Sequence, residues 1–588
     1  MSYEDSSMDT SSDSGSFCST NPTTPSSSPL FRPSEIEDLK LAQLPQSTAA
    51  IESDPTIVKN LCVVGAGYVG GPTAAVLALY HPSLTVEVLD RDSSRIKRWQ
   101  SPHLPVHEPE LNNVVRVARD GAHASQVAIQ GPRDQNLFFT CDSNAISRAD
   151  IIFMAVNTPT KTFGVGAGCA TNMTAFDGAM LDVAKLAKPG AIIVEKSTVP
   201  GGTAERVRKT LATYRPGVPF EVLSNPEFLA EGSAIQNLTV PDRVLIGCAP
   251  TPQGYRAADA LANLYRAWVP ASRILTTNTW SSELSKLVAN AMLAQRISSI
   301  NSISAICERT GAEVDEVAKA IGMDMRIGNQ FLKAGLGFGG SCFRKDIASL
   351  AYLAEYLGLD DVAHYWRQVN VINEHQRDRF ARKVIDRFEG NLVGRKLAVL
   401  GFAFKKNTGD TRESLAVGVI QSMLEERPAE IAIFDPYCHE DDILRELGLE
   451  SALGGTVKVY KDPYQACSEA HAVLVVSDCD QFRNTPGTVS TFETIALPCP
   501  ASSACVRPEQ EMWTHSGVSY ELSPQNCAED CSDCRMVLTR SIATDAMEWS
   551  RIASKLCEPK WVFDGRNILN CEKLANLGVR VDTVGRRS

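Results

Sequence analysis

The stretch TIVKNLCVVGAGYVGGPTAAVLALYHPSLTVEVLD, residues 56–90, decides the fold of this chain. Its apolar run LCVVG predicts a strand that enters a glycine-rich turn, and the small and apolar residues after the turn predict a helix. TVEVLD then predicts a second strand. Strand, glycine turn, helix and strand in this order form a complete βαβ unit of the dinucleotide-binding kind.

Three glycines and one acid give this unit the pattern of an NAD site. Gly65 permits a tight turn, Gly67 lets backbone N–H groups approach a pyrophosphate, and Gly70 allows the helix to pack closely on the strand. Asp90 ends the second strand, where a carboxylate can bind both ribose hydroxyls and repel a 2′-phosphate. We predict NAD rather than NADP. The neighbouring Arg91 is the residue that could reverse this preference by holding a 2′-phosphate.

Further strands extend the pattern into a large fold. ADIIFMAV leads into Val156–Thr160 and GAIIVEK leads into Ser197–Val199, which are candidate cofactor loops or ordinary strand-end turns. A second βαβ series begins near residue 395 and lacks GxGxxG. Lys405, Lys406, Arg412 and Arg566 in this series are candidates for contacts with the phosphates of another nucleotide. We predict an α/β fold with two Rossmann-like doubly wound domains joined by a long central helix.

The stretch between the two series predicts a long, largely buried helix over residues 280–324. Ser282, Lys286 and Asn290 are spaced four apart and share one helix face. In its apolar surroundings Lys286 either has a chemical role or covers apolar surface while its ammonium reaches water, and both interpretations stay open. The long helix also suggests a dimer interface.

Two short stretches carry candidate reactive groups. VLSNPEFLAEG places Glu227 and Glu231 after a strand end, as an acid or base pair or as a solvated surface. GFGGSCFRKD, residues 337–346, places Cys342 behind glycines that we expect to let substrate and nicotinamide approach the backbone. The thiol is either reactive or structural. Cys342 stands at a predicted helix start, which favours the thiolate, and Asp346 follows one turn later.

Composition excludes several classes of function. Lys and Arg total 58 against 69 Asp and Glu, a net charge of −11, and they form no dense basic block. We therefore predict no nucleic-acid or membrane partner. No apolar run approaches the roughly 20 residues that span a bilayer. The N-terminus fits neither a secretory nor a mitochondrial presequence, so we expect a cytoplasmic protein with reduced thiols, and we predict no metal site.

A series of motifs resembles the UDP-glucose/GDP-mannose dehydrogenase family. In chain order these motifs are GAGYVGGPT, VNTPTKT, EKSTVP, LSNPEFLAEG, VPDRVLIG, TTNTWSSELSKL, QRISSINSISA, GFGGSCF, GFAFKKNTGDTRES and FDGR. The resemblance covers about residues 56–484 and 545–585. It implies an NAD-dependent, four-electron oxidation of UDP-glucose to UDP-glucuronate without release of the aldehyde. It also implies dimers that assemble into hexamers.

Two alternatives share these motifs. A GDP-mannose or UDP-N-acetylmannosamine dehydrogenase would use the same mechanism, although NPEFLAEG and Phe343 favour UDP-glucose. An NAD-binding regulatory or scaffold protein without activity is the alternative from another class, in case the second domain is disrupted.

The resemblance also implies catalytic roles. Cys342 is the nucleophile that forms a thiohemiacetal and then a thioester. Lys286 transfers a proton and stabilises the oxyanion, Glu227 activates the hydrolytic water, and Asp346 orients or activates water. The supporting positions are Asn290 and Thr198.

Binding residues follow from the same resemblance. NAD contacts are Gly65, Ala66, Gly67, Tyr68, Val69, Gly70, Asp90, Arg95, Val156, Asn157, Thr158, Pro159, Thr160, Ser197, Thr198, Val199, Glu231, Lys345 and Arg412. Substrate contacts are Glu227, Phe228, Leu229, Ala230, Glu231, Lys286, Asn290, Lys333, Gly337, Phe338, Gly339, Phe404, Lys405 and Arg566, with Arg326 reaching from a partner subunit. The chain departs from the common family pattern at Arg344 and Asn407, neither of which is a proposed catalytic residue.

Two segments fall outside the resemblance. Ser, Thr and Pro supply 18 of the first 30 residues, which predicts a disordered tail. About sixty residues at 485–544 replace a short linker, and we expect a disordered loop or translated noncoding sequence there. Cys527, Cys531 and Cys534 within it have a C-x3-C-x2-C spacing, but the fold that supports such an iron–sulfur motif is missing, as is a clear fourth zinc ligand.

Together these patterns predict four regions. They are a tail at 1–55, an NAD-binding Rossmann domain at 56–277, a central helical dimerisation domain with the cysteine loop at 278–389, and a UDP-sugar-binding Rossmann-like domain at 390–588 that carries the insertion.

Overall fold

The computed structural model describes residues 58–126, 129–406, 408–449, 455–484, 511–523 and 546–586. The predicted tail, Asn407 and the three closely spaced cysteines Cys527, Cys531 and Cys534 lie outside the described residues.

The strands of the described residues are β1 (Asn60–Val64), β2 (Thr85–Leu89), β3 (Ala122–Gln126), β4 (Ile129–Arg133), β5 (Leu137–Thr140), β6 (Ile151–Met154), β7 (Ile192–Glu195), β8 (Glu221–Ser224), β9 (Val244–Cys248), β10 (Ile274–Asn278), β11 (Lys396–Leu400), β12 (Glu430–Phe434), β13 (Val457–Val459), β14 (Ala472–Val475), β15 (Met512–His515), β16 (Val518–Leu522), β17 (Trp561–Asp564) and β18 (Arg580–Thr583).

The helices are α1 (Gly70–Tyr80), α2 (Ser93–Trp99), α3 (Leu111–Arg119), α4 (Asn144–Arg148), α5 (Thr174–Leu186), α6 (Thr203–Tyr214), α7 (Ala234–Thr239), α8 (Pro252–Tyr265), α9 (Thr279–Thr310), α10 (Val314–Gly322), α11 (Phe343–Tyr356), α12 (Asp360–Asp386), α13 (Leu415–Glu425), α14 (Glu440–Glu446), α15 (Pro463–Cys467), α16 (Trp549–Ala553) and α17 (Cys571–Ala575).

The first sheet has the strand order β10-β9-β8-β7-β6-β1-β2-β5. Strand β1 lies inside it, parallel to β2 on one side and to β6 on the other, so the chain winds outward in both directions. Leu61 and Val63 pack into one layer of buried residues, whereas Cys62 and Val64 pack into another. Apolar residues on both faces are typical of parallel strands covered by helices on two sides.

The second sheet is parallel throughout, with the order β13-β12-β11-β14-β17-β18. Counted along this half of the chain, the order is third, second, first, fourth, fifth and sixth, which is the Rossmann arrangement. Leu397 and Val399 pack on one face and Ala398 and Leu400 on the other. The predicted fold of two doubly wound α/β domains is confirmed.

The long helix between the sheets is shorter than predicted. Helix α9 has 32 residues and ends at Thr310, and Gly311 follows with a φ of 82°. A glycine in this left-handed conformation is a common helix terminator, and α10 begins separately at Val314. The single helix predicted over 280–324 is therefore wrong in its second part. At the rise of 1.5 Å per residue, α9 alone spans about 48 Å.

Part of the segment at 485–544 forms a β-hairpin, so the expectation of a structureless loop is wrong for residues 511–523. Strands β15 and β16 are antiparallel, and β16 pairs with β3 in a sheet of order β15-β16-β3-β4. Trp513, Tyr520 and Leu522 are buried and join the core of the first domain. The overlooked signal was Ser516-Gly517 between two alternating stretches, a pattern that favours a two-residue hairpin turn.

Across the described residues, no helix has both the length and the apolar character needed to cross a bilayer.

Candidate active site

The glycine turn after β1 forms a cradle for a dinucleotide. A Cβ atom on Gly65 would lie 2.4 Å from the Ala155 carbonyl oxygen, and one on Gly70 would lie 1.9 Å from the Gly65 carbonyl oxygen. By contrast, nothing lies within 4 Å of a Cβ placed on Gly67. Two glycines therefore allow backbone segments to pack closely, while the third faces space into which a pyrophosphate can approach.

Asp90 lies beside this cradle, at the end of β2. One carboxylate oxygen, Oδ2, accepts hydrogen bonds from the Ala66 N–H at 2.8 Å and from Arg95 Nη1 at 3.0 Å. Arg91 instead pairs with Asp182 at 2.5 Å and points away from this contact. An acid at the turn, with the adjacent arginine paired elsewhere, favours a ribose hydroxyl over a 2′-phosphate.

The two strand-end loops predicted to contact cofactor lie together. Thr158 Oγ1 donates to the Thr198 carbonyl oxygen at 2.7 Å, and Ser197 Oγ donates to the Val156 carbonyl oxygen at 2.7 Å. Lys345, on α11, reaches the same place, with Nζ 3.4 Å from Thr158 Oγ1. The Val156–Thr160 loop therefore connects the dinucleotide-binding sheet to the cysteine-bearing helix.

Cys342 is the N-cap residue of α11, as the sequence predicts, and its side chain is exposed. The surrounding protein raises the pKa of the thiol, and the negative charges of Glu231 and Asp346 raise it further. Lys345 and Lys286 oppose this increase without cancelling it. The expectation that the helix start favours the thiolate is therefore outweighed by desolvation and two nearby carboxyl groups.

A polar cluster of α9 and α11 surrounds Cys342. Asn290 Nδ2 donates to Asp346 Oδ2 at 2.6 Å, and Lys345 Nζ lies 3.8 Å from Asp346 Oδ1. Asp346 is 1% exposed, and burial raises its pKa. Its Oδ1 atom accepts no hydrogen bond from any described residue. This oxygen can accept a hydrogen bond from a water or a substrate group.

Lys286 is buried in the same cluster, which decides between its two interpretations in favour of a desolvated amine. Burial lowers its pKa, while the charges of Asp346, Cys342 and Glu227 act in the opposite direction. A lowered pKa makes it easier for a lysine to release its proton during a reaction. Ser282 lies on the same helix face, but its hydroxyl forms a hydrogen bond with the Ser224 hydroxyl in the sheet instead of joining this cluster.

Glu227 lies at the end of β8 with its carboxylate fixed on both oxygens. Oε1 accepts from the N–H groups of Phe228 at 2.8 Å and Leu229 at 2.9 Å, and Oε2 lies 2.8 Å from Lys196 Nζ. Burial by itself would raise the pKa of Glu227. Lys196, the Phe228 N–H and Lys286 hold that pKa below its usual value. The sequence reasoning missed Lys196, whose signal was a lysine directly after a buried strand.

Glu231 connects the two sheet domains. Arg412, after β11, contacts Glu231 Oε1 at 3.4 Å and pairs with Asp410 at 2.5 Å. Its guanidinium also lies 5.2 Å from the centre of the Tyr68 ring. Burial, followed by the charge of Asp410, raises the pKa of Glu231 to about 7, and Lys405 and Arg412 limit the increase. This contact brings predicted residues of both domains to one cleft.

A second missed residue, Glu108, supports the loop that carries Glu227 and Glu231. Its carboxylate oxygens accept hydrogen bonds from the Gly232 N–H at 2.7 Å and the Ala234 N–H at 3.0 Å. The residue is buried, and no local motif distinguishes it in the sequence. In the same loop, the Ala230 N–H donates a hydrogen bond to Asn237 Oδ1 at 2.9 Å.

The glycine loop before Cys342 is packed against protein rather than open. Asn373 accepts from the Phe338 N–H and donates to the Phe338 carbonyl, both at 2.8 Å. A Cβ on Gly337 would lie 2.4 Å from Asn373 Oδ1, and one on Gly340 would lie 2.7 Å from the Phe404 ring. Gly339 would meet the Glu413 carbonyl oxygen at 2.8 Å. The glycines therefore allow the loop to pack on α12 and the second domain, and the expected approach of substrate to the same loop stays a prediction.

Arg566 holds that loop to the second sheet. Its Nε donates to the Val476 carbonyl at 2.7 Å and its Nη1 to the Gly337 carbonyl at 2.9 Å. Burial lowers its pKa to about 10. The charge of Lys405 interacts with Glu231, Glu108 and Cys342. Burial lowers the pKa of Lys405, and these three groups oppose that decrease. Its Nζ is 5.3 Å from the centre of the Phe404 ring.

Two predicted substrate contacts pair with aspartates outside this cluster. Lys333 Nζ is 3.9 Å from Asp478 Oδ2 and half exposed. Arg326 pairs with Asp324 at 2.6 Å, and its side chain is 89% exposed. Among the described residues, no cluster of His, Cys, Asp and Glu has the composition of a metal site.

Comparison with known proteins matches the chain to one family along its length. Domain models of the UDP-glucose/GDP-mannose dehydrogenase family match residues 59–269 (NAD binding domain), 280–375 (central domain) and 398–495 (UDP binding domain). The UDP-glucose 6-dehydrogenase of Pongo abelii is 42% identical over 539 residues, which cover 90% of this chain and 94% of the relative. That of Drosophila melanogaster is 42% identical over 536 residues, with coverage of 90% and 96%.

A solved structure supports the same assignment. The UDP-glucose dehydrogenase from Pyrobaculum islandicum superimposes with a TM-score of 0.62 and 31% identity, over 73% of this chain and 92% of that one. The prediction of NAD as cofactor is confirmed by the family's NAD binding domain, and the UDP binding domain supports a UDP-sugar substrate. The chain belongs to the UDP-glucose/GDP-mannose dehydrogenase family.

Proposed function

We propose that this chain oxidises the C6 alcohol of UDP-glucose to the carboxylate of UDP-glucuronate, using two NAD⁺ and one water. One observation carries the proposal, namely that Cys342, Lys286, Asn290 and Asp346 meet at the cleft reached by Glu231 of the first domain and Arg412 of the second. The choice of UDP-glucose rests on the relatives of about 42% identity, which carry that substrate in their names.

The residues present fit NAD. Gly67 leaves open space beside the turn, Asp90 supplies an acceptor for ribose hydroxyls, and the loops at Thr158 and Ser197 border the path toward Cys342. Bound NAD⁺ accepts one hydride in each of the two oxidations and leaves as NADH. The remaining NAD contacts in the proposal are Gly65, Ala66, Tyr68, Val69, Gly70, Arg95, Val156, Asn157, Pro159, Thr160, Thr198, Val199, Glu231, Lys345 and Arg412.

In the first half of the reaction Lys286 takes the proton from the C6 hydroxyl, and loss of the C6 hydride completes the oxidation to an aldehyde that stays bound. Cys342 then transfers its own proton to a neighbouring base, and its sulfur adds to the aldehyde carbon. The product is a thiohemiacetal, the tetrahedral carbon that a second oxidation requires. Lys286 and Asn290 stabilise the negative oxygen that develops during this addition.

The second oxidation converts the thiohemiacetal to a thioester on Cys342. Glu227 accepts a proton from water, the water oxygen attacks the thioester carbon, and the carbon–sulfur bond breaks with Cys342 as leaving group. Asp346 orients the water through its available Oδ1 atom, and Thr198 supports the same region. A thiol is suited to both steps because it is a strong nucleophile and a good leaving group.

The test is to measure NADH from purified chain with UDP-glucose, GDP-mannose and UDP-N-acetylmannosamine in parallel. We expect two NADH per UDP-glucose and at least about tenfold lower kcat/KM with the other sugars, a difference of about 1.4 kcal/mol. Higher kcat/KM with either other sugar would reassign the substrate. A complete absence of NADH with all three would instead support a regulatory protein without activity.

Assembly and location remain part of the proposal. The dimer, the hexamer and a partner contact by Arg326 are supported by the exposed apolar residues Met323 and Met325 beside it, which a subunit contact would cover. A reaction that depends on a free Cys342 thiol suits the reducing cytoplasm. The domain boundaries at residues 55, 277 and 389 are likewise proposed, and so are the substrate contacts Lys333, Gly337, Phe338, Gly339, Phe404, Lys405 and Arg566.

A further inference from the structure

Lys196 is a buried lysine that the proposed mechanism does not use. It follows β7 directly, its side chain is 3% exposed, and its Nζ atom lies 2.8 Å from Glu227 Oε2. An ammonium group this deeply buried is costly unless an opposite charge and hydrogen bonds compensate for the loss of water. The chain has therefore built a specific environment around this amine.

That environment is a small network of hydrogen bonds. Lys196 Nζ also lies 3.2 Å from Asn225 Oδ1 and 3.3 Å from the Tyr265 hydroxyl, which itself donates to Asn225 Oδ1 at 2.7 Å. Asn225 is anchored in turn by its Nδ2 bond to the Leu245 carbonyl at 2.8 Å. Three elements thus fix the position of the amine, and the amine fixes one oxygen of Glu227.

We propose that Lys196 is a positioning residue that keeps the Glu227 carboxylate ionised and in one orientation during thioester hydrolysis. The inference rests on the proposed function, because it assigns Lys196 a role only through Glu227 as the base. With Oε1 occupied by two backbone N–H groups and Oε2 by Lys196, the carboxylate cannot rotate without losing hydrogen bonds.

The charges around Glu227 make Lys196 the main counter-charge. Lys196, directly after β7, pairs with Glu227, and the charges of Tyr265 on α8 and Lys286 on α9 interact with it. Arg243 lies over the neighbouring Phe228 ring at 3.8 Å. Burial alone would raise the pKa of Glu227, and Lys196 is the largest influence in the opposite direction. Lys286 also lowers the pKa of Glu227, but it is a smaller influence than Lys196.

The first experiment compares Lys196→Met and Lys196→Arg with the unchanged chain in single-turnover reactions with UDP-glucose. The decay of the Cys342 thioester is followed by intact-protein mass at a series of pH values. We expect Lys196→Met to shift the acidic limb of the pH–rate profile of thioester hydrolysis to higher pH by about 1–3 units, because an adjacent cation lowers a carboxyl pKa by that amount. The rate of formation of the first NADH should change less than the rate of thioester hydrolysis. Lys196→Arg keeps the positive charge, so its acidic limb should lie at the same pH as that of the unchanged chain.

The second experiment uses Glu227→Gln alone and with Lys196→Met. If Lys196 acts through Glu227, the double variant hydrolyses the thioester no more slowly than Glu227→Gln. The double variant also removes both buried charges, so it folds even where Lys196→Met alone leaves an unpaired carboxylate. Lys188→Met is the matched control. Lys188 precedes β7, whereas Lys196 follows it, and Lys188 pairs with Asp150. It should leave the pH profile unchanged.

The outcomes separate the two proposals. A thioester that accumulates in Glu227→Gln supports the mechanism, and additive slowing in the double variant would then overturn the role of Lys196 alone. If the acidic limb of the pH–rate profile does not shift in folded Lys196→Met, the role of Lys196 is also overturned. If no thioester forms on Cys342 in any variant while UDP-glucose is turned over, the proposed mechanism itself is overturned, and the positioning role with it.

Discussion

The guanidinium of Arg116 donates a 2.6 Å hydrogen bond to the carboxylate of Glu511, although 395 residues separate the two in sequence. Arg116 also donates to the Ser523 carbonyl at 2.9 Å, so one side chain of α3 holds both ends of the β15–β16 hairpin. The Tyr80 hydroxyl lies 2.8 Å from His515 Nε2 at the tip of the same hairpin. The segment between β14 and β17 of the second domain is therefore attached to the first.

Replacing Trp513 by Ala tests this attachment. The Trp513 ring is 8% exposed and stacks on Tyr520, so its removal leaves a cavity in the core of the first domain. We expect a loss of about 3–5 kcal/mol in the stability of that domain, measured by urea unfolding. Met512→Ala is the control, since Met512 is 54% exposed on the other face and should change stability by less than about 0.5 kcal/mol. Equal effects of the two variants would show that the hairpin does not pack as described.

Replacing Cys342 by Ser tests the nucleophile. A hydroxyl is a far weaker nucleophile near neutral pH, so NADH production from UDP-glucose should fall by at least about 10³-fold. Cys141→Ser is the matched control, because Cys141 is exposed and lies in the loop after β5. Activity retained in Cys342→Ser within tenfold would reject a thioester on this residue.

Replacing Asp90 by Asn tests the cofactor preference. Loss of the negative charge should lower kcat/KM for NAD by about tenfold and raise that for NADP, because the charge no longer repels a 2′-phosphate. Arg91→Ala should leave the NAD to NADP ratio unchanged, since Arg91 is paired with Asp182. A shift in the ratio caused by Arg91→Ala, and none by Asp90→Asn, would reverse the assignment.

The pKa of about 7 for Glu231 predicts a pH-dependent contribution to stability. Between about pH 4.5 and pH 7 the folded chain keeps the proton on Glu231 while the unfolded chain has lost it, so this group makes the fold less stable as pH rises. The penalty is complete above pH 7 and amounts to about 3 kcal/mol. Glu231→Gln removes it.

The measurement compares urea unfolding of Glu231→Gln with that of the unchanged chain at pH 5, 7 and 8. We expect the variant to gain stability relative to the unchanged chain as pH rises and the difference to level off above pH 7. A difference that is constant over this range would mean that Glu231 titrates near its ordinary value.

Local sequence accounts for much of the fold and for the cofactor site. The cradle at Gly65, Gly67 and Gly70 and the acid at Asp90 lie within 26 residues, so a short stretch specifies the motif, although Gly65 packs against Ala155 from another strand end. Burial of both faces of β1 and β11 likewise follows from short apolar runs with helices on both sides. The end of α9 differs from the predicted one because Gly311, in a left-handed conformation, ends the helix within a continuing apolar pattern.

The sequence by itself determined two Rossmann-like sheets, a long helix between them and an NAD site at the first glycine turn, because each of these features has its pattern within a short stretch of chain. Only the tertiary structure decided which groups surround the reactive ones. Lys196 beside Glu227, Glu108 under the Gly232 loop, and Arg116 at the hairpin are pairings across 31 to 395 residues. Such pairings are set by how whole elements pack, and the same packing outweighs the helix-start effect on the pKa of Cys342.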